Sequence, residues 1–118
     1  MISKYLKYSI LASVASALDN GLGLTPQMGW NTWNTFGCNI NETIIMQTAD
    51  KIVELGLDKV GYKYLNLDDC WMEQNRTADG HLMADSKAFP SGMKKLGDYI
   101  HSKGLLFGIY NSAGTMTC

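Results

Sequence analysis

Two adjacent carboxylates, Asp68 and Asp69, are the residues of this sequence best placed to do chemistry. They directly follow the apolar run at 64–67 and are followed by a cysteine and a tryptophan. A short apolar run of this kind predicts a buried strand, and a strand covered on both faces need not alternate. Because an isolated carboxylate is costly to bury, we expect the pair at the open end of the strand, where α/β sheets and barrels hold their ligand sites.

The adjacency of Asp68 and Asp69 favours sugar binding over covalent chemistry. Neighbouring strand residues point to opposite sides, whereas a retaining glycosidase needs two carboxyl groups about 5–5.5 Å apart that flank the scissile bond. Accepting hydrogen bonds from several hydroxyl groups of one sugar suits the pair better, since charged acceptors make the stronger hydrogen bonds. A divalent-metal site is a third possibility, but no other acid or histidine lies at a supporting spacing nearby. Helix capping or a surface turn is the plain structural alternative.

Tryptophans stand near the same predicted strand end. Trp33 and Trp71 lie beside turn residues, where an indole can face a ligand, and carbohydrate sites often use such a platform because the C–H faces of sugars are weakly apolar. Trp30 is interpreted as a core residue. His81 and His101 have no partner at a spacing that suggests catalysis, so both are interpreted as surface residues.

The elements that must hold these residues follow a β-α-β-α-β order. In sequence these are a strand at 28–33, a helix from Asn39 or Asn41 to Gly56, the strand at 64–67, a helix at 91–103 and a strand at 105–110. Apolar strands joined by helical crossovers predict a parallel sheet. Three such strands leave the sheet with open edges. The predicted fold class is therefore α/β, as the N-terminal portion of a (β/α)8 TIM barrel.

Local signals support the first helix and the loop after the second strand. Either Asn39 or Asn41 can cap the helix, and Glu42 lies three residues after Asn39, as in a capping box. Gly56 then ends the helix as a left-handed residue would. The polar stretch 72–90 is long for a plain connection, which predicts a functional or rim loop.

The first 17 residues have the composition of a secretory signal peptide. Lys4 and Lys7 form a positive start, residues 10–15 form a short apolar core, and Ala17 ends a small-x-small cleavage pattern. The apolar stretch is shorter than the ~20 residues that a membrane span requires. We therefore expect residues 1–17 to be removed and residues 18–118 to be secreted without a membrane anchor.

Secretion changes how the cysteines and asparagines are interpreted. In an oxidising compartment Cys38, Cys70 and Cys118 are candidates for disulfides, and the odd count leaves one without a partner in this sequence. Cys38 and Cys70 follow the first two predicted strands at corresponding positions, so a bridge between them is plausible. No cysteine pattern typical of zinc is present. Asn41 and Asn75 begin glycosylation sequons, both expected to be exposed.

Composition excludes some classes of function. The 118 residues are 46% hydrophobic and 18% charged, with a formal net charge of −1, which suits at most one ordinary globular domain. No Lys/Arg cluster supplies a surface for nucleic acid. We expect no metal and no cofactor, and the sequence does not indicate an oligomeric state.

Several separated motifs resemble α-galactosidases of glycoside hydrolase family 27, in the form found in yeasts and other fungi. They are the stretches 19–33, 67–71 and 108–118, in that order, and the similarity spans roughly residues 18–118. The resemblance implies a retaining enzyme that removes terminal α-linked galactose, as in melibiose and raffinose-type sugars.

The resemblance also implies roles for single residues. At the matching positions Trp33 packs against the galactose, Asp68 and Asp69 bind its hydroxyl groups, and Tyr110 lines the pocket. Cys38 and Cys70 match one disulfide of the family, and Cys118 matches a cysteine whose partner lies just beyond the catalytic nucleophile.

The sequence departs from the family pattern because it holds no counterpart of the nucleophile or of the acid/base aspartate. No catalytic residue is therefore assigned here, and these 118 residues alone are expected to be inactive. An α-N-acetylgalactosaminidase is a close alternative, since its pocket differs mainly around the sugar 2-position. A non-catalytic sugar-binding module that uses Asp68, Asp69 and Trp33 is an alternative of another class, as is a structural or interaction domain.

Overall fold

A computed structural model describes residues 20–114, so the predicted leader at 1–17 and Cys118 lie outside the described residues. The elements in this range are β1 (Gly29–Asn31), α1 (Trp33–Phe36), α2 (Glu42–Glu54), a 3-10 helix (Leu57–Val60), β2 (Tyr64–Leu67), α3 (Gly92–Ser102) and β3 (Leu106–Ile109). The strands pair in parallel in the order β1-β2-β3. This confirms the predicted α/β class and the alternation of parallel strands with helical crossovers.

The strand register sorts side chains between the two faces of the sheet. Asn31 pairs with Asn66, and Asn66 pairs with Gly108, so these residues share one level and one face. Leu65 and Leu67, which alternate with Asn66, are fully buried, whereas Asn66 is half-buried. The leucine face therefore carries the core, and the other face carries polar residues towards the ends of the strands.

Helices α2 and α3 cover the leucine face, and their apolar stripes supply most of the core. From α2 the buried residues are Ile45, Ala49 and Ile52, and from α3 they are Leu96, Gly97 and Ile100. Burial of such stripes supplies most of the stability of helices this short. No helix among residues 20–114 is both long enough and apolar enough to cross a membrane.

Asn41, rather than Asn39, caps α2. The Asn41 side-chain oxygen accepts a hydrogen bond of 2.9 Å from the Ile44 N–H, which satisfies one of the free donors at the helix start. At the other end Gly56 has φ = 70°, the left-handed conformation that glycine adopts without steric cost. Both ends of the helix are therefore determined by the local sequence.

Glu42 does not complete a capping box with Asn39, whose N–H donates to the Phe36 carbonyl instead. The Glu42 carboxylate accepts hydrogen bonds from the Ser91 N–H at 2.9 Å and from the Ser91 hydroxyl at 3.1 Å. The Glu42 N–H donates to the Ala88 carbonyl at 2.9 Å. The start of α2 is thus joined to the segment that precedes α3.

The first strand is shorter than the predicted 28–33. It ends at Asn31, and Trp33 begins α1. The Thr32 N–H still donates to the Asn66 carbonyl at 3.2 Å, but the Trp33 N–H donates to the side-chain oxygen of Asn31 at 2.8 Å. The Asn31 side chain therefore ends the strand by binding the backbone N–H of Trp33, where α1 begins. The aromatic content of the segment alone does not indicate this.

The long loop at 72–90 is folded back on itself. Met72 and Ala84 form an isolated antiparallel bridge, and the Asp85 N–H donates to the Trp71 carbonyl at 2.9 Å. The Asp85 carboxylate accepts hydrogen bonds from the N–H groups of Ala88 and Lys87, which hold the pKa of Asp85 below its ordinary value. The loop is therefore an ordered part of the surface next to the end of β2.

Candidate functional site

The carboxyl ends of the three strands meet at one edge of the sheet because the strands are parallel. Asn31 is the last residue of β1, Asp68 follows β2, and Tyr110 follows β3. Backbone hydrogen bonds continue the pairing past the strands, since the Tyr110 N–H donates to the Leu67 carbonyl at 2.9 Å. Three of the polar or aromatic residues of interest are therefore held at the same edge by the sheet itself.

Asp68 is fixed at both its backbone and its side chain. Its N–H donates a hydrogen bond of 3.0 Å to the hydroxyl oxygen of Thr32, which is fully buried. One carboxylate oxygen accepts from the side-chain amide of Asn31 at 2.8 Å, and the other accepts from the Asp69 N–H at 2.8 Å. A carboxylate with both oxygens engaged has a defined orientation, and each oxygen keeps a further lone pair for a ligand.

Asp69 lies in a tight turn that leads directly into the disulfide-bonded Cys70. Its carboxylate accepts a hydrogen bond of 2.8 Å from the Cys70 N–H, and Cys70 has φ = 69°. This left-handed conformation is unfavourable by about 1–3 kcal/mol for a residue other than glycine, and such strain often marks functional sites. Cys70 is bonded to Cys38, with their Cα atoms 5.2 Å apart. The disulfide expected from the sequence thus joins the segments that follow β1 and β2.

Trp33 is exposed at the start of α1, with 46% of its surface accessible. Its N–H is bound by the Asn31 side chain, which also binds Asp68. Asn31 therefore connects two of the residues that the sequence analysis predicts to bind substrate.

Tyr110 is exposed directly after β3, with 42% of its surface accessible. It contributes to a shallow depression of about 260 Å³ at this edge of the sheet, with lining residues Asn31, Asn66, Leu67, Gly108 and Ile109. A Cβ atom at Gly108 would meet the side-chain oxygen of Asn66, so glycine at this position leaves room for the Asn66 carboxamide. The depression is polar on its β1 and β2 sides because of the two asparagines.

Trp71 is not a ligand platform, contrary to the interpretation of the sequence. It is 7% exposed and packs in the core, and its indole N–H donates to the Tyr110 carbonyl at 2.7 Å. Trp30 is half-buried and packs edge-on against Phe36, with ring centroids 5.9 Å apart. Of the three tryptophans, Trp33 alone is an exposed aromatic residue at the site.

Sequence reasoning missed Asn31, Thr32 and Asn66. All three carry polar side chains, and they lie at or next to the ends of β1 and β2. The rule that directed attention to Asp68, polar residues at the carboxyl end of a buried strand, applies equally to β1. The signal was present, but assigning 28–33 to one strand concealed it.

The other predicted residues lie away from this edge or outside the described range. Asn75 is exposed in the loop, whereas Asn41 is half-buried as the cap of α2. His81 is exposed and lies 3.3 Å from Asp79, and His101 is exposed on α3. Among residues 20–114 no three His, Cys, Asp or Glu side chains form a group that could hold a metal ion.

Comparisons with known proteins extend these observations. Residues 25–118 match the model of the family described as Alpha galactosidase A. Alpha-galactosidase 2 of Arabidopsis thaliana is 61% identical over 101 residues, which are 86% of this chain and 26% of that protein.

Solved structures give the same picture. Alpha-galactosidase I from Mortierella vinacea superposes with a TM-score of 0.81 at 51% identity, covering 86% of this chain and 25% of that one. The structure of an alpha-galactosidase from Saccharomyces cerevisiae with raffinose has a TM-score of 0.77 at 55% identity, covering 80% and 21% of the two chains. The chain thus spans about a quarter of the length of the relatives it matches.

Proposed function

The chain belongs to the alpha galactosidase A family, and on this premise we propose that the protein hydrolyses terminal α-linked galactose from galactosides such as melibiose and raffinose-type sugars. Its three parallel strands and their crossover helices are the β-α-β-α-β portion of the (β/α)8 barrel of its structural relatives. Barrels of this kind place their active sites at the carboxyl ends of the strands. The edge that carries Asn31, Asp68 and Tyr110 is therefore the proposed galactose side of the site.

The single observation that carries the proposal is the fixed orientation of the Asp68 carboxylate. Asn31 and the Asp69 N–H hold its two oxygens, at 2.8 Å each. A charged acceptor in one orientation can select the hydroxyl pattern of one sugar, because a sugar with a differently placed hydroxyl leaves the partly buried carboxylate poorly paired.

The proposed roles are those of binding rather than of covalent chemistry. Asp68 and Asp69 accept hydrogen bonds from galactose hydroxyl groups, the exposed indole of Trp33 packs against a face of the ring, and Tyr110 lines the pocket. The nucleophile and the acid/base of a retaining mechanism are proposed to lie outside residues 20–114. Adjacent carboxylates cannot flank a glycosidic bond from two directions, which supports this division.

The protein is further proposed to be a secreted glycoprotein. The support is the leader composition of residues 1–17 together with the sequons at Asn41 and Asn75. The disulfide between Cys38 and Cys70 agrees with this compartment, since disulfides persist in oxidising surroundings.

The test is an assay of the full natural protein with 4-nitrophenyl α-galactoside and with raffinose. Asp68→Asn is compared with Asp98→Asn, a control on the exposed face of α3. We expect turnover by the natural protein, loss of kcat/KM in Asp68→Asn, and none in the control. NMR of the first-formed sugar anomer should show retention of configuration.

Three outcomes would contradict the proposal. Galactose binding without turnover would indicate a sugar-binding module. Preference for α-N-acetylgalactosaminides over α-galactosides would indicate the neighbouring specificity. An inverted first product would rule out the retaining mechanism.

A further inference from the structure

Asn31 uses both ends of its carboxamide at the site. The oxygen accepts from the Trp33 N–H at 2.8 Å, and the nitrogen donates to the Asp68 carboxylate at 2.8 Å. Only this orientation of the amide satisfies both partners, because the carboxylate offers acceptors and the backbone N–H offers a donor. The Asn31 side chain thus links the Asp68 carboxylate to the first residue of α1.

Thr32 fixes the backbone of Asp68 from the same direction. The side chain of Thr32 is completely buried, and its hydroxyl oxygen accepts the Asp68 N–H at 3.0 Å. The Thr32 N–H donates to the Asn66 carbonyl at 3.2 Å, two residues before Asp68. Thr32 thus accepts a hydrogen bond from Asp68 and donates one to Asn66. Together the two bonds hold Thr32 against the end of β2.

These contacts occur where the regular sheet has ended. Strand β2 ends at Leu67, so the Asp68 N–H lies beyond the regular backbone pairing of the sheet. It donates its hydrogen bond to the Thr32 side chain. Asp68 is half-buried, and a partly buried N–H group that loses its acceptor is left poorly paired unless the backbone moves towards another acceptor. The position of the Asp68 carboxylate therefore depends on the hydroxyl group at position 32.

We propose that Thr32 is a positioning residue for galactoside binding, which acts by holding the Asp68 backbone while Asn31 holds its carboxylate. The inference rests on the proposed function, in which Asp68 accepts hydrogen bonds from the sugar. Thr32 does not touch the sugar, since it is fully buried. Its effect on affinity passes through Asp68, so it should disappear when the Asp68 side chain is removed.

The experiment measures galactose affinity in the full natural protein for Thr32→Val and Thr32→Ser. Valine keeps the shape of threonine but offers no acceptor, whereas serine keeps the hydroxyl. We expect Thr32→Val to weaken galactose binding about tenfold, the ratio that the loss of one ordinary hydrogen bond corresponds to. Thr32→Ser should bind galactose within about twofold of the natural protein, which a role in shape alone does not predict.

A double-mutant cycle separates positioning from general damage. In an Asp68→Ala background, Thr32→Val should cause no further loss of affinity. If Thr32→Val fails to accumulate as folded protein, Asn31→Ala at an exposed position replaces it in the same cycle. It is expected to weaken binding more when the Asp68 carboxylate is present than in the Asp68→Ala background, where the bond from the Trp33 N–H is the contact that it still removes.

Two results would overturn the inference. One is wild-type affinity in Thr32→Val, and the other is an equal loss of affinity in the natural and Asp68→Ala backgrounds. Either result leaves the proposed function intact, because the natural protein still binds and hydrolyses galactosides. Absence of galactose binding in the natural protein itself would instead contradict the proposed function, and with it the role of Thr32.

Discussion

Trp71 donates a hydrogen bond of 2.7 Å from its indole nitrogen to the main-chain carbonyl of Tyr110. The bond joins the segment after β2 to the segment after β3, and the indole itself is 7% exposed. A buried indole N–H needs an acceptor, and here the acceptor belongs to a proposed pocket residue. Trp71 therefore links the core to the candidate site without facing a ligand.

Trp71→Phe should lower the thermal midpoint of unfolding and raise KM for galactosides. Phenylalanine keeps much of the apolar contact but leaves the Tyr110 carbonyl without this donor, at a cost of about 1–3 kcal/mol. Thermal unfolding and steady-state kinetics of the full natural protein measure the two effects. Trp30→Phe is the control, since Trp30 packs its ring on Phe36 and so tests the loss of indole packing away from Tyr110. Equal KM values for both variants would contradict the link to Tyr110.

The strand at 64–67 and the end of α2 at Gly56 could be predicted from the sequence because their causes are local, and the start of α2 could be narrowed to Asn39 or Asn41. The strand is a short apolar run, and it forms at Tyr64–Leu67 as predicted. The cap at Asn41 and the left-handed Gly56 depend on neighbours only a few residues away. Local signals of this kind need no knowledge of the tertiary structure.

The partner of Thr32 and the partner of Glu42 could not be predicted because both contacts are long-range. The Asp68 N–H donates to Thr32 across 36 residues, and Ser91 binds Glu42 across 49 residues. Trp33 has high strand propensity, but the Asn31 side chain outweighs that preference by binding its N–H. A capping box is likewise only one of the uses of a glutamate at the start of a helix.

The same division applies to the candidate site. The position of Asp68 at a strand end followed from the general rule on parallel sheets. The burial of Trp71 did not follow, since Trp33 and Trp71 both stand next to turn residues in the sequence. What separates them is the acceptor that Tyr110 supplies to Trp71 from the next strand.

Gly29→Ala should destabilise the protein more than Gly108→Ala. A Cβ at Gly29 would collide with the backbone carbonyl and the Cβ of Tyr64, which the parallel pairing holds in place. At Gly108 the obstacle is the end of the Asn66 side chain, which can rotate away. Overpacking of this kind costs about 1–3 kcal/mol, and we expect Gly29→Ala at the upper end or beyond. Chemical unfolding of both variants gives the comparison, and equal costs would contradict it.

The link between α2 and α3 through Asp50 should make stability depend on pH at both extremes. Lys103 binds the Asp50 carboxylate at 2.6 Å and the Tyr99 hydroxyl donates to it at 2.9 Å, which lowers the pKa of Asp50 and raises that of Lys103. The contribution of Asp50 is present above its ordinary pKa of 3.8 and is lost as the pH falls through its lower folded value. That of Lys103 is present below 10.5 and is lost as the pH rises through its higher folded value.

Asp50→Asn should therefore lower the thermal midpoint slightly at neutral pH, with a difference from the natural protein that shrinks in acid and at high pH. Both groups are partly exposed, so the effect is small and weakens further with added salt. The control is Glu54→Gln, which removes an exposed pair with Lys51 inside α2. A difference that stays constant across the pH range would show that the charge pair makes no contribution.

Secretion should release a protein that begins at Leu18. The small residues at positions 15 and 17 fit the cleavage pattern of signal peptides. N-terminal sequencing of the secreted protein measures this directly, and Ala17→Leu should reduce processing because leucine is too large for the pattern. A secreted protein that still carries Lys4 and Lys7 would contradict the prediction.

Asp68 and Asp69 should behave as binders of galactose and not as the reacting groups. A charged hydrogen bond contributes roughly 1.5–3 kcal/mol, so Asp68→Asn and Asp69→Asn should each lose about ten- to hundredfold in kcat/KM. A nucleophile variant with glycine in place of aspartate leaves space in which azide can attack an activated substrate and restore turnover. We expect no such rescue for Asp68→Gly or Asp69→Gly, because the two residues are adjacent and Asp68 is already bound on both oxygens by Asn31 and by the next N–H. Azide rescue of either glycine variant, or mass-spectrometric capture of a glycosyl adduct on either aspartate, would overturn the assignment.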